Sequence, residues 1–239
     1  MAKTILVSAG HTNDPRSDRG AAGNGYVEGD EAVKIRDDVA RILREEKKLS
    51  VIEDGSDGVN DPLKKAVALA RAAEIAVEIH FNSAASPSAS GTEVLSKPKH
   101  RKLAQSIAKS ISANLGIPAR GGDVGWKADN SGQHHRLAFC EAGGIIVEIC
   151  FISNKSDMDK YKSNYRLMCL GIANAISGFV VEKAVDVESD YYTVKAGDTI
   201  WSIARRFLVA EADIKQWNGL TSDKIGVGQR LRLKTDPAF

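Results

Sequence analysis

The sequence is short of cysteine, and its three, Cys140, Cys150 and Cys169, are an odd number set in apolar stretches. That argues against a disulfide framework and suits buried, reduced thiols in a chain that folds in the cytosol. Neither sign of charge is in surplus, since 33 Lys and Arg against 31 Asp and Glu leave a net +2. A nucleic-acid partner is not expected, because such proteins gather cations on one face to neutralise phosphates. No stretch approaches the ~18 consecutive apolar residues of a membrane-spanning helix, so no membrane insertion is expected. The opening Met1-Ala-Lys-Thr-Ile-Leu-Val-Ser8 lacks the apolar core and small-residue cleavage site of a secretory signal peptide. Cytoplasmic synthesis is the corresponding expectation.

What the chain does have is 239 residues, 43% of them hydrophobic, enough for one large core and a small second one. Short apolar, β-branched runs at Thr4 to Ser8, Val51 to Glu53, Ile75 to His80, Thr92 to Leu95 and Ile145 to Ile149 read as strands. Helical patterns alternate with them: Asp30 to Glu46, a segment capped by Asp61-Pro62 and running to about Ala73, Lys102 to Leu115 stopped by Gly116, and Arg166 to Phe179. This alternation predicts an α/β domain over residues 1–181, with a mainly parallel sheet flanked by helices. Thr12 to Gly29 and Gly116 to Gln133, rich in Gly, Asn and Asp, read as long irregular loops that line a site. Residues 182–190 are acidic and lack apolar periodicity, which predicts a linker. Residues 191–234 read strand, Gly-Asp turn, helix, helix, strand: a small βααβ domain near the lower size limit for unaided folding.

In parallel α/β sheets the functional groups gather at the carboxyl ends of strands. His11 follows the first strand, His80 ends the third, and Glu148 interrupts the apolar Ile-Ile-Val-Glu-Ile-Cys-Phe. A charge inside such a strand is costly unless it is paired or stands near a metal. Two histidines and a carboxylate suffice for a catalytic zinc site with one coordination position left open, and Glu28 at the entry of the first long helix can supply the carboxylate. Each residue also has an ordinary role. A strand-end histidine can be a plain hydrogen-bonding group, Glu28 can favour a helix start, Glu31 in the next turn can take the ligand role instead, and Glu148 can be a buried ion-pair partner.

Taken together, Gly10-His11, Glu28, His80-Phe81-Asn82 and Val147-Glu148-Ile149-Cys150-Phe151-Ile152-Ser153-Asn154 resemble, in order, the pattern of the zinc-dependent N-acetylmuramoyl-L-alanine amidases of the amidase type 3 family. The resemblance covers residues 3 to about 180 and is most specific in its last element. It implies that His11, Glu28 and His80 bind Zn2+, that Glu148 is the catalytic carboxylate, and that the substrate is the amide bond between N-acetylmuramic acid and L-alanine in peptidoglycan. Asn82 falls on the same side of its strand as His80, where it can orient that ring, contact substrate or simply end the strand. Arg136, beside His134 and His135, is a candidate donor to the acidic groups of a muropeptide. Tyr192-Thr-Val-Lys-Ala-Gly-Asp-Thr-Ile-Trp-Ser-Ile-Ala204, Asn218-Gly-Leu220 and Ile225-Gly-Val-Gly-Gln-Arg-Leu231 resemble a LysM module. That likeness implies binding of N-acetylglucosamine polymers through Gly197, Asp198, Thr199, Leu220 and Ile225, although Asp198 or Thr199 can equally cap a helix and Gly197 form a turn. The implied protein is a wall-anchored amidase, a phage or prophage endolysin that acts after release from the cytoplasm. The alternatives are a zinc carboxypeptidase or endopeptidase on the stem peptide, or a non-catalytic wall-binding protein.

Overall fold

A computed structural model describes residues 4–55, 58–121, 124–129, 137–185, 191–207 and 210–233, with backbone only for 181–185 and 205–207. Residues 1–175 and 176–239 form two compact units.

In the first unit the chain runs β1 (Thr4–Ala9), β2 (Ala22–Gly23), β3 (Tyr26–Val27), α1 (Glu28–Glu45), β4 (Ser50–Glu53), α2 (Leu63–Ala72), β5 (Ile75–Asn82), β6 (Glu93–Ser96), α3 (Arg101–Leu115), β7 (Trp126–Ala128), α4 (Ala138–Glu141) and β8 (Ile145–Phe151). Helix α5 (Lys155–Val185) follows and continues across the division between the units. Six strands make one sheet in the order β4-β1-β5-β8-β6-β7. All neighbours are parallel except β6 and β8. The mainly parallel sheet expected from the alternation of strands and helices is therefore present, with one antiparallel pairing.

Central strands buried on both faces need continuous apolar character, and Ile5, Leu6, Val7, Val77, Ile79, Ile145, Val147 and Ile149 are all buried. Helix α1 lays Ala32, Val33, Ile35, Val39, Ile42 and Leu43 against the core, the three-to-four spacing of an amphipathic helix. Helix α3 does the same through Leu103, Ile107 and Ile111, and Gly116 ends it in the left-handed conformation, where glycine carries no Cβ penalty. Cys140, Cys150 and Cys169 are buried free thiols; burial pushes Cys140 and Cys169 up to about 12 and Cys150 well above its ordinary value.

Several elements depart from the sequence reading. The stretch 12–29 contains the two-residue ladder of β2 and β3, and the stretch 116–133 contains β7, which extends the main sheet. All three strands are too short to display a period of two. Helix α5 begins at Lys155, eleven residues before Arg166, and has a non-helical residue at Asn164. That break interrupts its apolar period. At its far end α5 runs through Val185, into the stretch read as linker.

In the second unit β9 (Tyr191–Thr193), α6 (Ile200–Phe207), α7 (Glu211–Trp217) and β10 (Arg230–Arg232) form the expected βααβ arrangement, with β9 and β10 antiparallel. Val194, Ile200, Ile203, Ala204, Ile214, Leu231 and Leu233 are its core, with Tyr192, Leu220 and Ile225 packed against them. No helix among the described residues is long and apolar enough to cross a membrane.

Candidate active site

The carboxyl ends of two strands, the middle of a third and one helix start converge in the first unit. His11 lies just past β1 with φ of +61°, an uncommon value for a residue with a side chain, of the kind that surrounding structure must hold in place. Glu28 is the first residue of α1, His80 is the sixth residue of β5, and Glu148 is the fourth of β8. Register brings His80 directly opposite Glu148 across the parallel β5–β8 pair. Glu93 of β6 faces Glu148 from the other side.

Ligand-capable atoms of His11, Glu28 and His80 all lie within 4.8 Å of one another. Oε1 of Glu28 stands 3.0 Å from Nδ1 of His80, and Oε2 stands 3.6 Å from Nε2 of His11. The carboxylate is held in that pose by the backbone N–H groups of Phe81 and Ala21, which donate to Oε1 and Oε2 at 3.0 and 2.9 Å. Two glycines leave room for the cluster: a Cβ at Gly10 would collide with the His80 ring, and one at Gly20 would collide with Glu28 and His11. Glu31 is also buried, but it accepts from the Tyr161 hydroxyl at 2.8 Å and from Lys34 at 2.6 Å. Of the two helix carboxylates, Glu28 is therefore the one that stands with the histidines.

The electrostatics suit a cation. Burial opposes the charged form of Glu28, yet the hydrogen bond and charge of His80, with the Phe81 and Ala21 amides, bring its pKa below the usual value. Burial likewise opposes charge on His80, and Glu28, Glu78 and Glu148 together raise its pKa well above the ordinary imidazole value. A pocket that holds a proton this firmly among carboxylates is one where a divalent ion can replace the proton, since metal binding and deprotonation are linked. Two neutral imidazoles and a carboxylate are the donor set of a catalytic zinc, so the residues present fit the ion.

Glu148 has one carboxylate oxygen, Oε2, buried without a hydrogen bond among the described residues. Burial above all, opposed by His80 and reinforced by Glu28, Glu93 and Glu78, pushes it up to about 7. That value allows a carboxyl group both to accept and to release a proton near neutrality. Glu93, by contrast, is paired with Arg120 at 2.8 Å and Lys127 at 2.7 Å. These partners and Asn82 outweigh burial and lower its pKa. Asn82 thus directs one side-chain hydrogen bond to Glu93. A cleft of about 840 Å3 opens onto His11 and His80, with Val59, Leu63 and Phe139 among its apolar walls. Arg136, with His134 and His135, lies outside the described residues.

In the second unit, Gly197 has φ of +86° and forms a turn. Asp198 accepts from the Tyr192 hydroxyl at 2.6 Å and the Lys195 amide at 2.8 Å. Thr199 and Ser202 exchange backbone-to-hydroxyl hydrogen bonds at 2.9 and 3.0 Å, a reciprocal cap on the first turn of α6. Leu220 and Ile225 are partly buried against the core. Sequence reading missed Glu78, Glu93 and Asp18 around the site. The first was signalled, because a second carboxylate inside an apolar strand, two residues before His80, must share that residue's face.

Comparison with known proteins agrees with this geometry. Residues 5–178 match the family model for N-acetylmuramoyl-L-alanine amidase, and residues 192–234 match that for the LysM domain. A solved structure assigned as an N-acetylmuramoyl-L-alanine amidase from Neisseria meningitidis is 42% identical, with a TM-score of 0.68, covering 74% of this chain and 96% of that one. The Bacillus subtilis protein YqiI is 31% identical over 168 residues, which span 67% of this chain and 76% of its own. The C-terminal match is to a module only: the autolysin of Enterococcus faecalis is 50% identical over 44 residues, 18% of this chain and 6% of the autolysin. The chain belongs to the N-acetylmuramoyl-L-alanine amidase family and carries a LysM domain behind its amidase domain.

Proposed function

We propose that the protein is a zinc-dependent N-acetylmuramoyl-L-alanine amidase in which His11, Glu28 and His80 hold the ion and Glu148 is the proton-transfer group. The carrying observation is the convergence of the three ligand-capable side chains within 4.8 Å, with Glu148 opposite His80 in the next strand. A zinc ion held there supplies a Lewis acid for the scissile carbonyl and acidifies water toward neutrality. Glu148 accepts the proton of the attacking water and delivers it to the departing alanine nitrogen, a double task suited to its raised pKa. The Ala21 and Phe81 amides behind Glu28 keep that ligand's carboxylate ionised and oriented.

The amidase domain, residues 1–181, is joined through 182–190 to the wall-binding domain, 191–234, in which Gly197, Asp198, Thr199, Leu220 and Ile225 are the candidate contacts to N-acetylglucosamine strands. Asn82 and Arg136 remain candidate substrate contacts in the first domain. In its narrower form the proposal is an endolysin that accumulates in the cytoplasm, and lysis of producing cells then requires co-expression of a pore-forming membrane protein. The decisive experiment is a digest of purified peptidoglycan by the zinc-loaded protein. It should release intact stem peptides with new alanine amino termini; shortened stems still joined to muramic acid would instead identify a carboxypeptidase or endopeptidase.

A further inference from the structure

Side chains two apart in a strand share a face, and β5 places Glu78 beside His80 on the face of the metal cluster. Glu78 sits in a central strand and is 2% exposed. A carboxylate so placed is costly unless something specific needs it. Its hydrogen-bond partner is Nε2 of His80, at 3.4 Å. The other ring nitrogen, Nδ1, is turned toward Oε1 of Glu28 at 3.0 Å. The ring therefore presents one nitrogen to the ligand set and the other to a buried carboxylate outside it. Ring orientation is further limited by Gly10, whose backbone approaches the imidazole so closely that no Cβ would fit.

His11 repeats the arrangement in a weaker form. Its Nε2 faces Glu28 at 3.6 Å, and its Nδ1 meets Asp18 at 3.2 Å, but the Asp18 side chain is 82% exposed. Water competes for an exposed carboxylate and screens it. The two histidines thus share one geometry with very different burial of the outer carboxylate.

We infer that Glu78 is a positioning residue for the metal site: it accepts the Nε2–H of His80 and so presents the Nδ1 lone pair to the ion. This rests on the zinc reading above. None of the motif elements behind the family resemblance includes Glu78. A carboxylate behind a ligating histidine selects the tautomer, holds the ring and raises its basicity. Asp18 does the same for His11 with less effect.

The test uses the full chain loaded with zinc, in wild-type, Glu78→Ala, Glu78→Gln and Asp18→Ala forms. Zinc affinity is measured by chelator competition, and the His80 Nε2–H resonance by proton–nitrogen NMR. Glu78→Ala should lower zinc affinity about ten- to a hundredfold and expose Nε2–H to rapid solvent exchange. Glu78→Gln, which keeps an acceptor oxygen, should recover most of the affinity and retain the resonance, shifted upfield because the hydrogen bond is no longer charge-assisted. Asp18→Ala should cost less than Glu78→Ala. Where Glu78→Ala fails to fold, the Glu78→Gln resonance decides, and an unshifted signal overturns the inference. Wild-type affinity and an unchanged Nε2–H in Glu78→Ala, alongside zinc loss in His80→Ala, overturn the role of Glu78 while leaving the zinc reading intact. A wild-type protein that takes up no zinc overturns both.

Discussion

Both units bury apolar residues, but among those described only the first also buries charged ones. The first places Glu28, Arg36, Asp54, Glu78 and Glu93 at 3% exposure or less. In the second, every residue that is buried among those described is apolar. A charge out of water costs several kcal/mol unless it is paired, so a fold accumulates such groups only where they are individually needed. In the larger unit a core of strands and helices is extensive enough to carry that cost and to hold carboxylates and imidazoles within bonding distance of one another. The smaller unit is close to the minimum that can fold. Its polar candidates, Asp198 and Thr199, are engaged in a turn and a helix cap. Bond cleavage demands preorganised charge; recognition of a repeating polymer can be built from backbone shape and small residues at a surface.

The largest effects should follow from disturbing buried charge in the first unit. His80→Ala should lose zinc and hydrolysis together, as read by metal analysis and muropeptide release. Glu148→Gln keeps the shape but cannot accept a proton, and should lower turnover about 10^2- to 10^4-fold with zinc still bound. Zinc loss in that variant would make Glu148 a ligand and break the division of labour drawn here. Next comes the pair formed by Arg36 and Asp54, both fully buried at 3.5 Å. Arg36→Met leaves Asp54 without its cation and should cost about 3–5 kcal/mol in denaturant unfolding.

The same pair gives a pH test. Burial, partly offset by Ser8, Arg36 and the Ala9 amide, raises Asp54 from 3.8 to about 6. The native state therefore holds its proton more tightly than the unfolded chain. Its contribution to stability is fully present below about 4 and declines as pH rises through about 6. The stability difference between wild type and Asp54→Asn, followed by urea unfolding across that range, should fall with rising pH; a flat difference would refute the assignment.

Much of this was legible in the sequence because burial writes itself into pattern. The apolar strands β1, β5 and β8 and the three-to-four spacing of α1 and α3 declared the sheet, the strand ends near which His11 and His80 stand, and the apolar strand that Glu148 interrupts. Elements without a period were not legible: β2, β3 and β7 are only two or three residues long, and α4 is a single turn. The choice between Glu28 and Glu31 was equally hidden. Both are buried carboxylates on the first turn of α1, and only the fold reveals that Tyr161, 130 residues away in the chain, occupies Glu31. Glu78 had a visible signal in its place before His80, but its partner depends on how the imidazole is rotated, which no spacing encodes.

Smaller effects should come from the second unit. Thr199→Ala removes half of a reciprocal cap and should cost about 0.5–2 kcal/mol of that unit's stability, whether or not Thr199 also touches glycan. A loss of peptidoglycan binding greater than the loss of folded protein, measured by sedimentation at matched folded fraction, would give it a direct role. The smallest effect on chemistry is expected from removing the unit altogether. A chain cut after Glu182 retains His11, Glu28, His80 and Glu148, so it should remain folded, bind zinc and cleave soluble muropeptides at the wild-type rate. On intact wall it should work poorly at low enzyme and recover as enzyme approaches saturation, because tethering raises local concentration without altering the transition state. The complementary fragment from Asp190 onward should sediment with peptidoglycan and cleave nothing. Equal losses on soluble and insoluble substrate would mean that the second unit helps to form the active site, and the contrast between a charged catalytic core and an apolar binding module would then have to be redrawn.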